Sequence, residues 1–199
     1  MNPGGIFLDR DGTVNQEVNF LTSPEQLELI PRSAEAIREA NHLGFKVFIV
    51  TNQSGIARGL LTEPRLLEIH DAFLQSLREH GASVDGIYYC PHLQSAGGGS
   101  PYAVDCSCRK PKTGMIEQAQ REFPVDLKRS FVIGDRLADI QLGNNAGIPS
   151  ILVLTGYGKT ELEICRNKHA TIEHVANDLY DAMLYIKKRV STAEKLPAS

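Results

Sequence analysis

The chain has 199 residues, 42% of them hydrophobic and 23% charged, with a formal net charge of −3. That length suits one domain with a sizeable core. The weak acidity excludes the broad basic field that nucleic acid or an acidic membrane surface attracts. The start has no charged segment followed by a long apolar one, and no run approaches about 18 apolar residues. Neither a secretory leader nor a membrane span is therefore expected, and the expected location is the cytoplasm, where thiols stay reduced.

The first element is a short apolar strand, Ile6, Phe7 and Leu8, which stops at Asp9-Arg10-Asp11-Gly12-Thr13. Two carboxylates two residues apart leave an extended backbone on the same side. Their repulsion calls for a cation, a shared proton or a nearby basic group. By itself the stretch also fits a strand ending in a surface Asp-Gly turn. A polar loop runs to Pro31, and Ser33 is read as the N-cap of a helix that ends at Gly44. Residues 46–51 form a second strand rich in β-formers, followed by the polar loop Asn52-Gln53-Ser54-Gly55.

Thr62 caps a longer helix with Pro64 in its first turn and Gly81 beyond its end. Leu66, Ile69, Phe73, Leu74 and Leu77 share one face of it, which reads as core. Residues 86–90 are a third strand. An irregular stretch over 91–111 follows, with three glycines at its middle, and so long a loop in a compact domain is functional or held by something. Then come a helix over about 113–122, a strand over 130–135 ending in Asp135, a helix over about 137–145 stopped by Gly147, and a fifth strand over 150–154. The last helix is read over about 175–189. The alternation gives an α/β fold, a Rossmann-like three-layer sandwich with a mainly parallel sheet. One domain is expected over residues 1–190, with a flexible tail over 191–199.

In a parallel sheet the strand ends share one edge, so Asp9, Asp11, Thr51, Asn52 and Asp135 can converge there. Arg109, Lys110 and Lys112 form a basic cluster at the start of a helix, where anions are already favoured. Carboxylates in an oxygen environment suit Mg²⁺, and hydroxyl and ammonium groups suit phosphate oxygens. The pattern points to a phosphate substrate and phosphoryl transfer. A second constellation is Cys90 and His92 with Cys106 and Cys108, a Cys₃His set of the kind that holds structural Zn²⁺. Zinc would close the loop at about 90–110. The alternatives are unpaired buried cysteines or a disulfide, the latter disfavoured in a reducing compartment. Cys165 stands alone and reads as an apolar residue. His42, His70, His80, His169 and His174 sit in helical or surface contexts and read as structural.

Asp9-Arg10-Asp11-Gly12-Thr13, Thr51, Lys110 and Gly134-Asp135 resemble, in order, the four motifs of the haloacid dehalogenase superfamily of phosphatases. The resemblance implies Asp9 as nucleophile forming an aspartyl-phosphate, and Asp11 as general acid and then base. It implies Mg²⁺ held by Asp9, Asp11 (through its backbone carbonyl) and Asp135. Thr51 and Lys110 would hold the transferring phosphoryl oxygens. Asp139 is either a supporting carboxylate behind the metal or a helix-surface or capping one. The cysteine loop, followed by Arg109-Lys110-Pro111, resembles the heptose-bisphosphate and histidinol-phosphate branches of the superfamily. The 13 residues between His92 and Cys106 favour the former.

That branch implies substrate contacts at Glu17, Val18, Asn19, Phe20, Thr51, Asn52, Gln53, Ser54, Arg109, Lys110 and Arg136. Arg109 and Arg136 are suited to a second, non-reacting phosphate. No interval between motifs holds a separate cap domain, so the site should be open, with a minimal cap and the zinc loop, and a hydrolase is the better fit. The expectation is a monomeric sugar-bisphosphate phosphatase using Mg²⁺ and Zn²⁺, acting on a small molecule with no nucleic acid or membrane partner. Its product would feed nucleotide-activated heptose for lipopolysaccharide or S-layer glycan. Histidinol-phosphate hydrolysis, and a zinc-stabilised binding module without turnover, are the alternatives.

Overall fold

A computed structural model describes residues 2–96 and 99–193. In chain order it contains β1 (Gly4–Leu8), α1 (Ser33–His42), β2 (Lys46–Asn52), α2 (Glu63–Glu79), β3 (Gly86–Cys90), α3 (Gly114–Glu122) and β4 (Asp126–Gly134). These are followed by α4 (Leu137–Ala146), β5 (Ser150–Val153), α5 (Gly158–Asn167), β6 (His174–Ala176) and α6 (Leu179–Ala193). All six strands join one sheet in the order β3-β2-β1-β4-β5-β6, and every pairing is parallel.

The strand period of two sorts the core into two faces. Ile6 and Leu8 of β1, Val47 and Ile49 of β2, and Ile133 of β4 meet Ala36, Ile37 and Ala40 of α1, Phe73 and Leu77 of α2, and Met183 and Ile186 of α6. On the other face Phe7, Phe48, Val50 and Val132 meet Met115, Ile116 and Ala119 of α3 and Leu142 of α4. α5 extends that second layer through Cys165, which packs with Ile140 and Leu152. Because both faces are covered, the central strands read as unbroken apolar runs.

The sheet order reverses between β1 and β4: the chain winds outward through β2 and β3, then returns to the other side of β1. Open α/β sheets bind ligands in the crevice at such a reversal, beyond the carboxyl ends of the strands. Asp9 lies there; its N–H still donates to the Ile133 carbonyl at 2.9 Å, one step past the end of β1.

Four details depart from the sequence reading. Ser33 is the first residue of α1, not its cap; Arg32 precedes it with φ 66° and lies over the Tyr180 ring, 3.3 Å from its centroid. β4 begins at Asp126, because Gly4 pairs with Asp126 and the register then slips so that Ile6 meets Phe131. The Ser130 hydroxyl fills the gap, accepting from Gly5 N at 2.8 Å. A helix, α5, and a sixth strand, β6, follow β5, so residues 174–176 belong to the sheet and the last helix starts at Leu179 rather than at 175. That helix continues through Ala193, past the point at which the tail was read to begin, and the rest of the tail lies outside the described residues. Thr62 does cap α2, its hydroxyl accepting from Arg65 N at 3.3 Å. Among the described residues no helix is long and apolar enough to cross a membrane.

Candidate active site

A cavity of about 600 Å³ opens over the reversal point, lined by Asp9, Asp11, Thr51, Arg109, Lys110 and Arg136 among others. Of the other residues read as site or substrate contacts, Glu17, Asn19, Phe20, Asn52, Gln53 and Ser54 also line it. Val18 does not; it is 40% exposed, beside a tight turn in which Phe20 N donates back to the Val18 carbonyl. Asp135 lies beneath the cavity, fully buried at the end of β4.

Charge is balanced here in pairs. Lys110 Nζ sits 2.9 Å from Asp9 Oδ1 and 2.5 Å from Asp139 Oδ1, with all three side chains buried. Burial alone would lower the lysine's pKa, but Asp139 and Asp9 hold it above its ordinary value. The Arg10 guanidinium grips Asp11 through two bonds, of 3.1 and 2.8 Å, and Asn15 and Gln53 add donors at 2.9 and 3.0 Å. Burial would raise the Asp11 carboxyl, yet Arg10 and these hydrogen bonds outweigh it and bring it below the usual carboxylate value. The nearby basic group that the Asp9–Asp11 pair demands is thus supplied twice, by Arg10 and by Lys110.

A negative excess remains. Asp9, Asp135 and Asp139 bring ligand atoms within 4.8 Å of one another, and Lys110 offsets one of the three charges. Burial first, then the neighbouring carboxylates, push Asp9 up to about 6 and Asp135 up to about 8. Asp135 Oδ2 accepts from Tyr157 N at 2.8 Å, while among the described residues its buried Oδ1 has no partner. Two uncompensated charges and an orphaned carboxylate oxygen fit a hard divalent cation such as Mg²⁺. Asp9 and Asp135 could hold it together with the Asp11 carbonyl. Asp139 is already committed, to Lys110 and to Arg136 N at 3.0 Å, where it caps α4. It therefore both caps the helix and orients the lysine. Gly12, at φ 82°, is required where it stands, since a β-carbon there would press into the Asp135 carboxylate.

The loop after β2 closes the site from the other side. Thr51 Oγ1 accepts from Gln53 Nε2 at 2.9 Å, and Asn52 binds both the N–H and the carbonyl of Lys110, at 3.1 and 3.3 Å. His70 is buried beneath, edge-on to Tyr89; burial and the Arg10 charge hold its pKa down at about 3, so it is neutral.

The four zinc-type donors also converge. Cys108 Sγ lies 3.1 Å from Cys90 Sγ, 3.4 Å from Cys106 Sγ and 3.3 Å from His92 Nδ1. Tetrahedral Zn–S bonds of about 2.3 Å set donors about 3.8 Å apart, so the four residues fit zinc with little adjustment. The three cysteines are unpaired thiols, not a disulfide. Arg109 joins this cluster to the cavity, its guanidinium donating to the His92 carbonyl at 3.0 Å.

Sequence reasoning gave no role to Arg10, Asn15, Arg58, Gln141 or Tyr157. Arg10 carried a signal, since a basic residue between two aspartates is an obvious counterion. Arg58, Gln141 and Tyr157 line the cavity from segments without a motif.

A HAD-hydrolase-like family model matches residues 107–182. A D-glycero-beta-D-manno-heptose-1,7-bisphosphate 7-phosphatase of Pasteurella multocida is 43% identical over 157 residues, covering 78% of this chain and 84% of that protein. One from Yersinia pestis is 39% identical over 185 residues, 92% of this chain and 95% of that protein. The solved D,D-heptose 1,7-bisphosphate phosphatase of B. bronchiseptica, in complex with magnesium and phosphate, superposes with a TM-score of 0.81 at 36% identity, covering 94% of this chain and 99% of that one. With the sheet order, the paired aspartates and these likenesses together, the chain belongs to the heptose-1,7-bisphosphate phosphatase family of the haloacid dehalogenase-like phosphatases.

Proposed function

We propose that the protein removes the C7 phosphate of a D-glycero-D-manno-heptose 1,7-bisphosphate. The observation that carries this reading is one cavity lined by Asp9, Asp11, Thr51 and Lys110 and also by Arg109 and Arg136. The first group suits a phosphoryl group under attack, and the arginines suit a second anion on the same small molecule. Relatives bearing the heptose-bisphosphate name support that substrate.

Asp9 is the nucleophile. Lys110 holds it at Oδ1, so the carboxylate has one fixed orientation and its other oxygen is left for attack on phosphorus. The step forms an Asp9–phosphate bond and breaks the bond from phosphorus to the sugar oxygen, which takes the proton that Asp11 carries in its acid form, the form the later proton transfer from water restores. Asp11 in its charged form, the one its pairing with Arg10 favours, then takes a proton from the water that hydrolyses the aspartyl-phosphate. Thr51 and Lys110 bind phosphoryl oxygens. Mg²⁺, held by Asp9, Asp135 and the Asp11 carbonyl, would offset the charge of the incoming phosphate dianion. Cys90, His92, Cys106 and Cys108 would hold Zn²⁺ in a structural role, since four protein donors fill a tetrahedral set. The product would be a heptose 1-phosphate, a precursor of nucleotide-activated heptose for lipopolysaccharide or S-layer glycan.

Phosphorus NMR of the products is the test. Loss of the C7 resonance with the C1 phosphate kept is the expected result. Release from C1, or a higher kcat/KM on histidinol phosphate, overturns the reading.

A further inference from the structure

The turn after β5 reaches the site from a side that none of the four motifs covers. Thr155 Oγ1 donates to the Gly12 carbonyl at 2.6 Å, and Tyr157 N donates to Asp135 Oδ2 at 2.8 Å. The side chain of Tyr157 then makes two further contacts in the cavity. Its ring lies against the Arg136 guanidinium, with Cζ 3.9 Å from the ring centroid. Its hydroxyl donates to Asn19 Oδ1 at 2.9 Å.

Both partners need holding. Asn19 has a left-handed backbone, φ 64°, in an irregular loop, a conformation that asparagine tolerates but that a loop does not keep without support. Arg136 is long and part-exposed, and among the described residues its one acidic partner is Glu17 Oε2, at 3.2 Å. One contact leaves most of its five N–H donors unused. A planar ring under a guanidinium fixes the plane of the fork without consuming any of those donors. Tyr157 itself is only part-buried and belongs to none of the apolar clusters, so packing alone does not account for it.

We propose that Tyr157 is a specificity-determining positioning residue: it sets Arg136 and Asn19 to receive the phosphate that is not hydrolysed. The proposal rests on the reading of the substrate as a sugar bisphosphate. The contact with Asp135 comes from the Tyr157 backbone, so side-chain variants leave the nucleophile and the metal-type carboxylates in place.

The test uses heptose 1,7-bisphosphate beside p-nitrophenyl phosphate, which has no second phosphate. Tyr157→Phe removes only the Asn19 bond and should raise KM for the bisphosphate about 3-fold. Tyr157→Leu also removes the platform and should raise it about 10-fold or more. For both variants kcat on the bisphosphate, and kcat/KM on p-nitrophenyl phosphate, should stay within about 2-fold of wild type. Once Arg136 is replaced by alanine, Tyr157→Leu should cost no more than Tyr157→Phe, since the platform then has nothing to hold. Equal losses on both substrates, or an unchanged KM in Tyr157→Phe and Tyr157→Leu, overturn the positioning role alone. A wild-type protein with no preference for the bisphosphate overturns the substrate reading, and the second-phosphate role of Tyr157 with it.

Discussion

The carboxylate centre and the cysteine loop both gather donors that suit a cation, yet the chain assembles them in opposite ways. Asp9 and Asp135 stand at the ends of adjacent central strands, locked by ladder hydrogen bonds and by the apolar layers on either side. The charge of Asp9 is already partly balanced by Lys110, and that of Asp11 by Arg10. The cysteine loop has one donor on a strand, Cys90, and three on irregular backbone between β3 and α3. Around it Cys106 and Cys108 only border an apolar cluster that belongs to the sheet. A sheet can hold like charges together before any metal arrives, because the strands fix their positions. A loop has no comparable constraint and takes its shape from the bond network at its own centre.

The largest effect that bears on this contrast is chemical. Asp9→Asn should reduce phosphate release by roughly 10⁴-fold or more, because the proposed nucleophile is lost. Its Tm should hold or rise, since one member of a crowded carboxylate group becomes neutral while Lys110 keeps Asp139. A clear fall in Tm would mean that Asp9 holds the fold together as well, and the picture of a site fixed by its strands would fail.

Next comes the loop. Cys108→Ser removes the sulfur nearest the other three donors. The purified variant should lose its zinc by elemental analysis, and several kcal/mol of stability with it. In a chain of this size that is roughly a 10 °C drop in Tm. KM for the bisphosphate should rise too, because Arg109 is bonded to the His92 carbonyl. An unchanged Tm would show that the loop is held by its packing on β3, and the two regions would then be alike.

A pH series separates the regions without mutation. Asp9 and Asp135 are raised, to about 6 and about 8, chiefly by burial. For a raised carboxyl the folded state binds protons more tightly than the unfolded one. That stabilisation is complete below the unfolded pKa, near 3.8, and is lost as pH rises through the folded values. In magnesium-free buffer Tm should therefore decline between about pH 4 and pH 8 through these groups. Added Mg²⁺ should flatten the decline, since a bound cation favours the ionised carboxylates. No chelator should be used, so that any zinc on the cysteine cluster stays bound and only one region is being read. A decline that Mg²⁺ leaves intact would place the titrating groups elsewhere.

The same contrast explains what could be read from the sequence. The strand-end residues carry strong signals, because apolar runs that stop at Asp9-Arg10-Asp11-Gly12, Thr51 and Asp135 leave few other arrangements in a parallel sheet. The cysteine spacing is legible for a similar reason: x-separated pairs bring donors together whatever the backbone does. The misses lie where neither constraint acts. α5 has only Gly158 and Cys165 buried, so its apolar stripe is too narrow to announce a helix. β6 has three residues at the edge of the sheet, and its apolar pair, Val175 and Ala176, reads equally well as the first turn of the helix behind it. Lys128 and Arg129 are exposed within β4 and look like loop until the register slip at Gly4 is known. Tyr157 and Arg58 escaped because a cavity wall is a product of tertiary structure and leaves no spacing to find.

The smallest predicted effect concerns the fourth cysteine and asks whether thiol chemistry extends beyond the loop. Cys165 lies on α5 against Ile140 and Leu152, with a raised thiol pKa caused first by burial. Burial of that kind keeps a thiol protonated and poorly nucleophilic, so the residue behaves as a small apolar side chain. Cys165→Ala should cost about 1 kcal/mol, the loss of one buried atom and its contacts. Zinc content and kcat/KM should match wild type, and modification by a thiol reagent under native conditions should be negligible at this position. If zinc content fell in Cys165→Ala, the Cys₃His set would not be self-sufficient, and the loop would depend on the α5 layer in the way the carboxylates depend on the sheet.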